Sequence, residues 1–283
     1  MQWKGRRQSE NVEDRRGTPG RKVAVGGGLG AIAVALIIMF LGGDKEAVQQ
    51  MLTQPGGTES QEARPLSAAE KEMGEFVAVV LAETENVWGD IFRQEGLEYR
   101  QPKLVLFSGA VDSACGFAQA ATGPFYCSGD RKVYLDLEFF QEMQERLNAP
   151  GDFATAYVIA HEIGHHVQTL LGTMEQVDAQ RGRLDEVEMN KLSVRLELQA
   201  DFLAGVWAHH AQRTQNILEQ GDIEEGINAA GAVGDDRIMK AQLGRVVPDA
   251  FTHGTSEQRV RWFMKGFETG DLAQGDTFAA REL

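Results

Sequence analysis

The chain has 283 residues, 42% of them hydrophobic and 25% charged, which allows one sizeable core plus appendages and is ordinary for a globular protein. The formal net charge of −14 argues against a nucleic-acid partner, because phosphate binding needs clustered cations. The charge is uneven: residues 1–22 carry seven Lys/Arg against three acids, a net of +4, so the remainder carries about −18.

Val23 to Leu41 form 19 consecutive uncharged, mostly apolar positions. As a helix this run would be roughly 28 Å long at ~1.5 Å per residue, close to the hydrocarbon thickness of a bilayer. The basic residues precede it, and Asp44 and Glu46 follow it. The positive-inside bias therefore predicts a single-pass protein of a cell inner or plasma membrane, with residues 1–22 as a cytoplasmic tail and residues 42–283 periplasmic or extracellular. The run is longer than a usual signal-peptide core and no A-x-A site follows it directly, which favours an uncleaved anchor. Gly26 and Gly30 form a G-x-x-x-G pair, which would bring two such helices together in a homodimer. Gly26 to Ala31 also fits G-x-G-x-x-A. The preceding Val23-Ala24-Val25 is too short a strand and no second strand follows, so a dinucleotide site is rejected.

Residues 42–66 are rich in Gln, Gly, Thr, Glu and Pro and read as a flexible linker. A domain is expected over 67–270. It opens with a helix capped by Ser67 and Glu70, with Met73, Phe76, Val77, Val80, Leu81, Val87 and Trp88 at helical spacing. Short apolar runs at Lys103–Phe107 and Lys132–Leu135 flank Cys115 and Cys127 and predict a small β-region. Leu137–Leu147 reads as a helix. Asp152 is a good N-cap for the next helix, which runs to about Leu171. A long helix spans about Glu186–Gln212, shorter ones fall near 214–220, 222–230 and 235–244, and Ser256 opens a last one to about Phe267. Residues 271–283 read as a loose C-terminal tail. The fold class is α+β, mostly α. Outside the cytoplasm the two cysteines, 12 positions apart, would form a disulfide.

His161-Glu162-Ile163-Gly164-His165 is H-E-x-x-H. Residues i and i+4 share a helix face, so both imidazoles can reach one Zn2+. Glu162, next to the first ligand, is placed to take a proton from a metal-activated water and deliver it to a leaving amine. The helix reads Ala156-Tyr157-Val158-Ile159-Ala160 before the motif; ionisable residues in so apolar a helix are costly unless a metal or partners satisfy them. His166 points about 100° away around the helix and fits a supporting role better than ligation. A catalytic zinc takes a third protein ligand. Glu197 is the best candidate, with Asp201 four residues on to accept a hydrogen bond from a ligand histidine. His209 and His210 are the rivals; His209 would lie roughly 18 Å along the helix axis from Glu197, so only one position can share the metal. Near the end, His253 precedes a helix carrying Arg259, and this pair could stabilise the oxyanion formed as water attacks a peptide carbonyl.

Several segments together carry a family resemblance: Ala114-Cys115-Gly116, Gly123-Pro124-Phe125-Tyr126-Cys127, Val133-Tyr134-Leu135-Asp136-Leu137, His161 to Gln168, Glu197-Leu198-Gln199-Ala200-Asp201 and His253-Gly254-Thr255-Ser256. At these residues the chain resembles the bacterial neutral zinc metallopeptidases of the YpfJ type. The resemblance covers roughly 67–270 and extends to the N-terminal anchor. It implies a zincin-like domain and a gluzincin-like metallopeptidase in which His161, His165 and Glu197 hold zinc, Glu162 and His253 act on the substrate, and Asp201 and Arg259 support the ligands. A more distant similarity is to the membrane CAAX prenyl proteases, which also pair H-E-x-x-H with a downstream Glu-x-x-x-Asp and a late His and Arg; a single span departs from their pattern. The expectation is a membrane-anchored zinc endopeptidase acting on a peptide or protein substrate. The alternative is a non-enzymatic membrane-tethered binding or scaffold module with a structural zinc, but such a site has no use for Glu162.

Overall fold

The computed structural model describes residues 1–16, 65–119 and 123–283. Met1–Arg16 and Ser67–Leu283 form one compact unit. Its elements in chain order are β1 (Val12–Asp14), α1 (Ala68–Gln94), β2 (Lys103–Phe107), β3 (Ala110–Ser113), β4 (Gly116–Gln119), β5 (Phe125–Cys127), β6 (Lys132–Asp136), α2 (Glu138–Arg146), α3 (Asp152–Leu170), α4 (Thr173–Asp178), α5 (Glu186–Gln215), α6 (Asp222–Ala232), α7 (Asp235–Leu243) and α8 (Ser256–Thr269). The domain is mostly helical, with a four-stranded sheet ordered β1-β2-β6-β5 and a β3-β4 hairpin. β1, β2 and β6 run parallel, and β5 is antiparallel to β6.

The strands explain why their alternation was weak in sequence. Leu104, Leu106, Val133 and Leu135 face the helical core, while Val105, Phe107, Tyr134 and Cys127 pack on the other side with Val111 and Ala118 of the hairpin. With both faces covered, a strand reads as a continuous apolar run.

Helix starts follow their caps. Ser67 and Glu70 form the expected capping box, and Thr255 forms one with Gln258. Asp152 is the first residue of α3 and Gly151 holds the cap position, one residue from the expectation. The helix expected near 214–220 is absent: α5 continues to Gln215 and Asn216 ends it in the left-handed conformation. The stretch from 271 is docked rather than loose. Arg195 of α5 donates to the carbonyl oxygens of Thr277, Phe278 and Ala280, Gln199 donates to that of Gly275, and Thr277 is fully buried.

Two close crossings set the site. A Cβ at Gly164 would lie 2.9 Å from the Ala200 carbonyl oxygen, so α3 and α5 touch backbone to backbone beside the H-E-x-x-H motif. Gly205 and Gly266 do the same between α5 and α8, where a Cβ at either would meet a carbonyl oxygen of the facing helix at 2.0 Å. Any side chain there would push the helices apart.

The membrane architecture is corrected. The expected span at 23–41, its G-x-x-x-G pair and the linker lie outside the described residues. Among the described residues no helix is long and apolar enough to cross a membrane. The basic N-terminal segment overturns the expected topology directly. β1 pairs with β2 of the domain, and Met1 is buried in the main core, so residues 1–16 and the rest of this unit lie on the same side. A cytoplasmic tail with the domain outside is therefore excluded, and so is the single-pass localisation drawn from it. Cations within residues 1–16 that read as a positive-inside signal are ion-pair partners instead: Arg6 with Glu83, Arg7 with Glu85, Arg16 with Asp14 and Lys4 with Glu72.

Candidate metal centre

α3 places His161 and His165 one turn apart, and α5 brings Glu197 against both. Glu197 Oε2 lies 3.1 Å from His161 Nε2, and Glu197 Oε1 lies 3.4 Å from His165 Nε2. The ligand atoms of these three residues all lie within 4.8 Å of one another. Two ligands held at ~2.0–2.1 Å from a tetrahedral zinc stand about 3.4 Å apart, so this spacing and this nitrogen-and-carboxylate donor set fit a zinc ion. Glu162 is buried beside them.

Each imidazole is oriented from behind. His161 Nδ1–H donates to Asp201 Oδ1 at 2.8 Å, and His165 Nδ1–H donates to Gln168 Oε1 at 2.8 Å. This assignment puts both protons on Nδ1 and frees both Nε2 lone pairs for a metal. Asp201 is fully buried. It accepts the Tyr157 hydroxyl at 2.5 Å and two N–H groups of Arg259 at 2.8 and 2.9 Å. Gln168 is fixed in turn by donating to the Leu196 carbonyl at 2.7 Å.

The electrostatics of the site are set by burial and by opposed charges. Burial alone would lower the His161 pKa, but Asp201 and Glu197 outweigh it and hold it at about 10. Burial opposes the charge on Asp201 as well, yet Arg259 and His161 hold its carboxyl at about 2. Glu197 is held well below the usual carboxylate range by the two histidines despite its burial. Two carboxylates thus draw positive charge onto His161 from opposite ring nitrogens, and the Nε2 side is the one that could hold a metal ion once the imidazoles lose their protons.

The structure joins most of the residues singled out in the sequence. His161, Glu162, His165, Glu197 and Asp201 converge at one crossing. Arg259 is buried on Asp201, so it supports the ligand shell; its guanidinium does not face the open site as an oxyanion donor. His253 stands apart from the ligands on the loop before α8, its side chain half exposed, within the electrostatic reach of Glu197. His209 and His210 each spend a ring N–H on a carbonyl at the end of α8, Phe267 and Gly270. His166 donates to the Arg100 carbonyl at 2.6 Å and accepts the Tyr126 hydroxyl at 3.1 Å, tying the motif helix to β5. Cys115 and Cys127 are joined in a disulfide that ties the hairpin to β5.

Tyr157 and Gln168 were missed as supporting residues. Both were within reach, since 157, 161, 165 and 168 share one face of a single helix. Of a further acidic group, Asp152, Asp222 and Glu225, the first two pair with the Met1 nitrogen at 2.6 and 3.3 Å, and Glu225 accepts the Phe153 N–H at 3.0 Å.

Two histidines one turn apart on α3 and a glutamate from α5 form a group that could hold a metal ion, with an acid beside the first histidine. The comparisons agree. Residues 1–278 match the family described as "Putative neutral zinc metallopeptidase", and the chain belongs to that family. It is 48% identical over 287 residues to the "Uncharacterized protein YpfJ" of Escherichia coli K12, covering 98% of this chain and 99% of that one. It is 44% identical over 195 residues to an uncharacterized protein of Mycobacterium tuberculosis H37Rv, covering 65% of each chain. No solved structure matches it.

Proposed function

We propose that this protein is a zinc-dependent endopeptidase that hydrolyses peptide bonds in a peptide or protein substrate with an activated water. The observation that carries the reading is the convergence of His161, His165 and Glu197 within 4.8 Å, with Glu162 next to the first ligand. Zinc, when bound there, supplies Lewis acidity and makes hydroxide available near neutral pH. Glu162 takes the proton from the attacking water and returns it to the leaving amine. His253 donates a hydrogen bond to the carbonyl oxygen as it becomes negative. Asp201 and Gln168 keep the Nε2 atoms of the two histidines aimed at the metal, and Tyr157 and Arg259 keep Asp201 in place.

A structural zinc in a scaffold module takes four protein ligands. The convergent group among the described residues numbers three, which supports the catalytic reading.

The test is a peptide-library digest by the full chain, zinc-loaded and then chelated, beside Glu162→Gln. The variant is expected to retain zinc and lose activity by about 10²- to 10⁴-fold, the range for a positioned general base. Unchanged turnover in Glu162→Gln, or turnover that survives chelation, would remove the mechanism.

A further inference from the structure

The loop bearing His253 is held by one residue that the sequence reading passed over. Asp235, the first residue of α7, is buried. Its Oδ2 accepts three successive backbone N–H groups, from Thr252 at 2.7 Å, His253 at 2.6 Å and Gly254 at 3.0 Å. In return its own N–H donates to the Gly254 carbonyl at 2.9 Å. The other oxygen, Oδ1, lies 3.2 Å from His253 Nδ1. The next residue, Asp236, anchors the far side of the loop by accepting the Ser256 N–H at 2.7 Å. Gly254 seats the loop on α5, where a Cβ would meet Val194 and Leu198 at 3.3 Å.

Three backbone donors would suffice to fix the loop. The fourth contact, from the second oxygen to the ring, does something different. Asp235 is held ionised by its contacts with His253 and the loop N–H groups, which outweigh its burial. An ionised carboxylate only accepts, so the proton must sit on Nδ1. Thr252 Oγ1, 2.9 Å from the same nitrogen, can share it. Nε2 has no hydrogen-bond partner among the described residues and is the ring atom left for a substrate. The charged groups that act on this ring are Asp235 from α7, Glu197 from α5 and Arg259 from α8.

We propose that Asp235 is a positioning residue for His253, accepting Nδ1–H from the doubly protonated ring and fixing its orientation so that Nε2–H is the donor offered to the substrate's carbonyl oxygen. The proposal rests on the peptidase reading. It extends that site from α3 and α5 to α7, and it assigns a purpose to the acid that opens α7.

Asp235→Asn separates the two jobs. Its amide oxygen still accepts the loop N–H groups, while its amide nitrogen now faces Nδ1 and cannot accept a proton from it. In the zinc-loaded full chain this variant is expected to lower kcat by about 10- to 100-fold, the range for outer partners of a functional imidazole, with KM and zinc content unchanged. In a His253→Ala background the same change is expected to cost less than about twofold, because its effect passes through the ring. An equal loss in both backgrounds would overturn the positioning role and leave Asp235 as a loop anchor. Nitrogen-15 shifts of the histidines provide a second reading on the unaltered protein: His253 is expected to carry protons on both ring nitrogens near neutral pH, and a ring neutral there would overturn the proposal without any variant. Absence of hydrolysis by the zinc-loaded wild type would overturn the peptidase reading and this role with it, whereas hydrolysis with an additive cycle would overturn this role alone.

Discussion

Two parts of this molecule bury acids against bases, and they do so to different ends. At the crossing of α3, α5 and α8, fully buried Asp201 takes bonds from His161, Tyr157 and Arg259. On α1, buried Glu83 and Glu85 take bonds from Arg6, Arg7, Ser9 and Asn11 of the N-terminal segment. In the second region every strong donor is matched inside the chain, so it is a seam between a strap and a helix. In the first, the ligand atoms of His161, His165 and Glu197 also lie within 4.8 Å of one another, on side chains able to hold a metal ion. Burial of charge therefore does not mark a functional site. A set of metal-ligating atoms gathered at one point by partners that are themselves fixed does.

The comparison makes unequal demands on variants, and the largest falls on the crossing. Arg259→Leu leaves Asp201 buried without its guanidinium. Breaking a buried pair from one side costs about 3–5 kcal/mol, and disturbing the shell behind a ligand lowers metal affinity about 10- to 100-fold. Urea unfolding and zinc titration should both show the loss. Loss of stability with unaltered zinc affinity would reduce this network to a seam like the other.

The next effect concerns the histidine that neighbours the ligands but faces the sheet. Burial pushes the His166 pKa down to about 4, against 6.5 for a free imidazole. As pH falls below about 6.5 the unfolded chain takes the proton and the folded chain refuses it, so folding stability present at neutral pH drains away down to about 4, by about 3 kcal/mol in all. His166→Gln, which does not titrate, should flatten that part of the stability–pH curve. An unchanged slope between pH 6.5 and 4.5 would show that His166 takes its proton as readily in the folded protein as in the unfolded chain.

These contrasts also mark what could be read from the sequence. The metal centre was legible because its residues repeat on rigid helices: 161 and 165 on one, 197 and 201 on the next. Helical spacing alone puts each pair on one face, and the closeness of α3 to α5 is written in Gly164. The seam was not legible, because β1 joins β2 across some 90 positions and nothing local in Val12–Asp14 announces that partner. A run of arginines ahead of an apolar stretch has the same composition whether it faces a membrane or pairs with Glu83 and Glu85. Asp235 was hidden for a similar reason, since a helix-opening acid normally serves its own helix, and this one serves a loop 17 to 19 positions further on.

The smallest of the expected effects tests the seam itself. Glu85 accepts from Ser9 at 2.5 Å and Asn11 at 2.8 Å through one oxygen and from Arg7 at 3.0 Å through the other. Glu85→Ala removes all three acceptor contacts and leaves the Ser9 hydroxyl buried without that partner, at a cost of about 1–3 kcal/mol. The arginine is half exposed and can turn to water, so its contribution to that figure is the smaller part. Because the seam shares no residue with the metal centre, the loss should appear in urea unfolding and in faster proteolysis after Arg16, while zinc affinity holds within about twofold, as additivity between distant sites requires. A matching fall in zinc affinity would mean that the N-terminal strap sets the position of α3, and the two regions would then have to be treated as one.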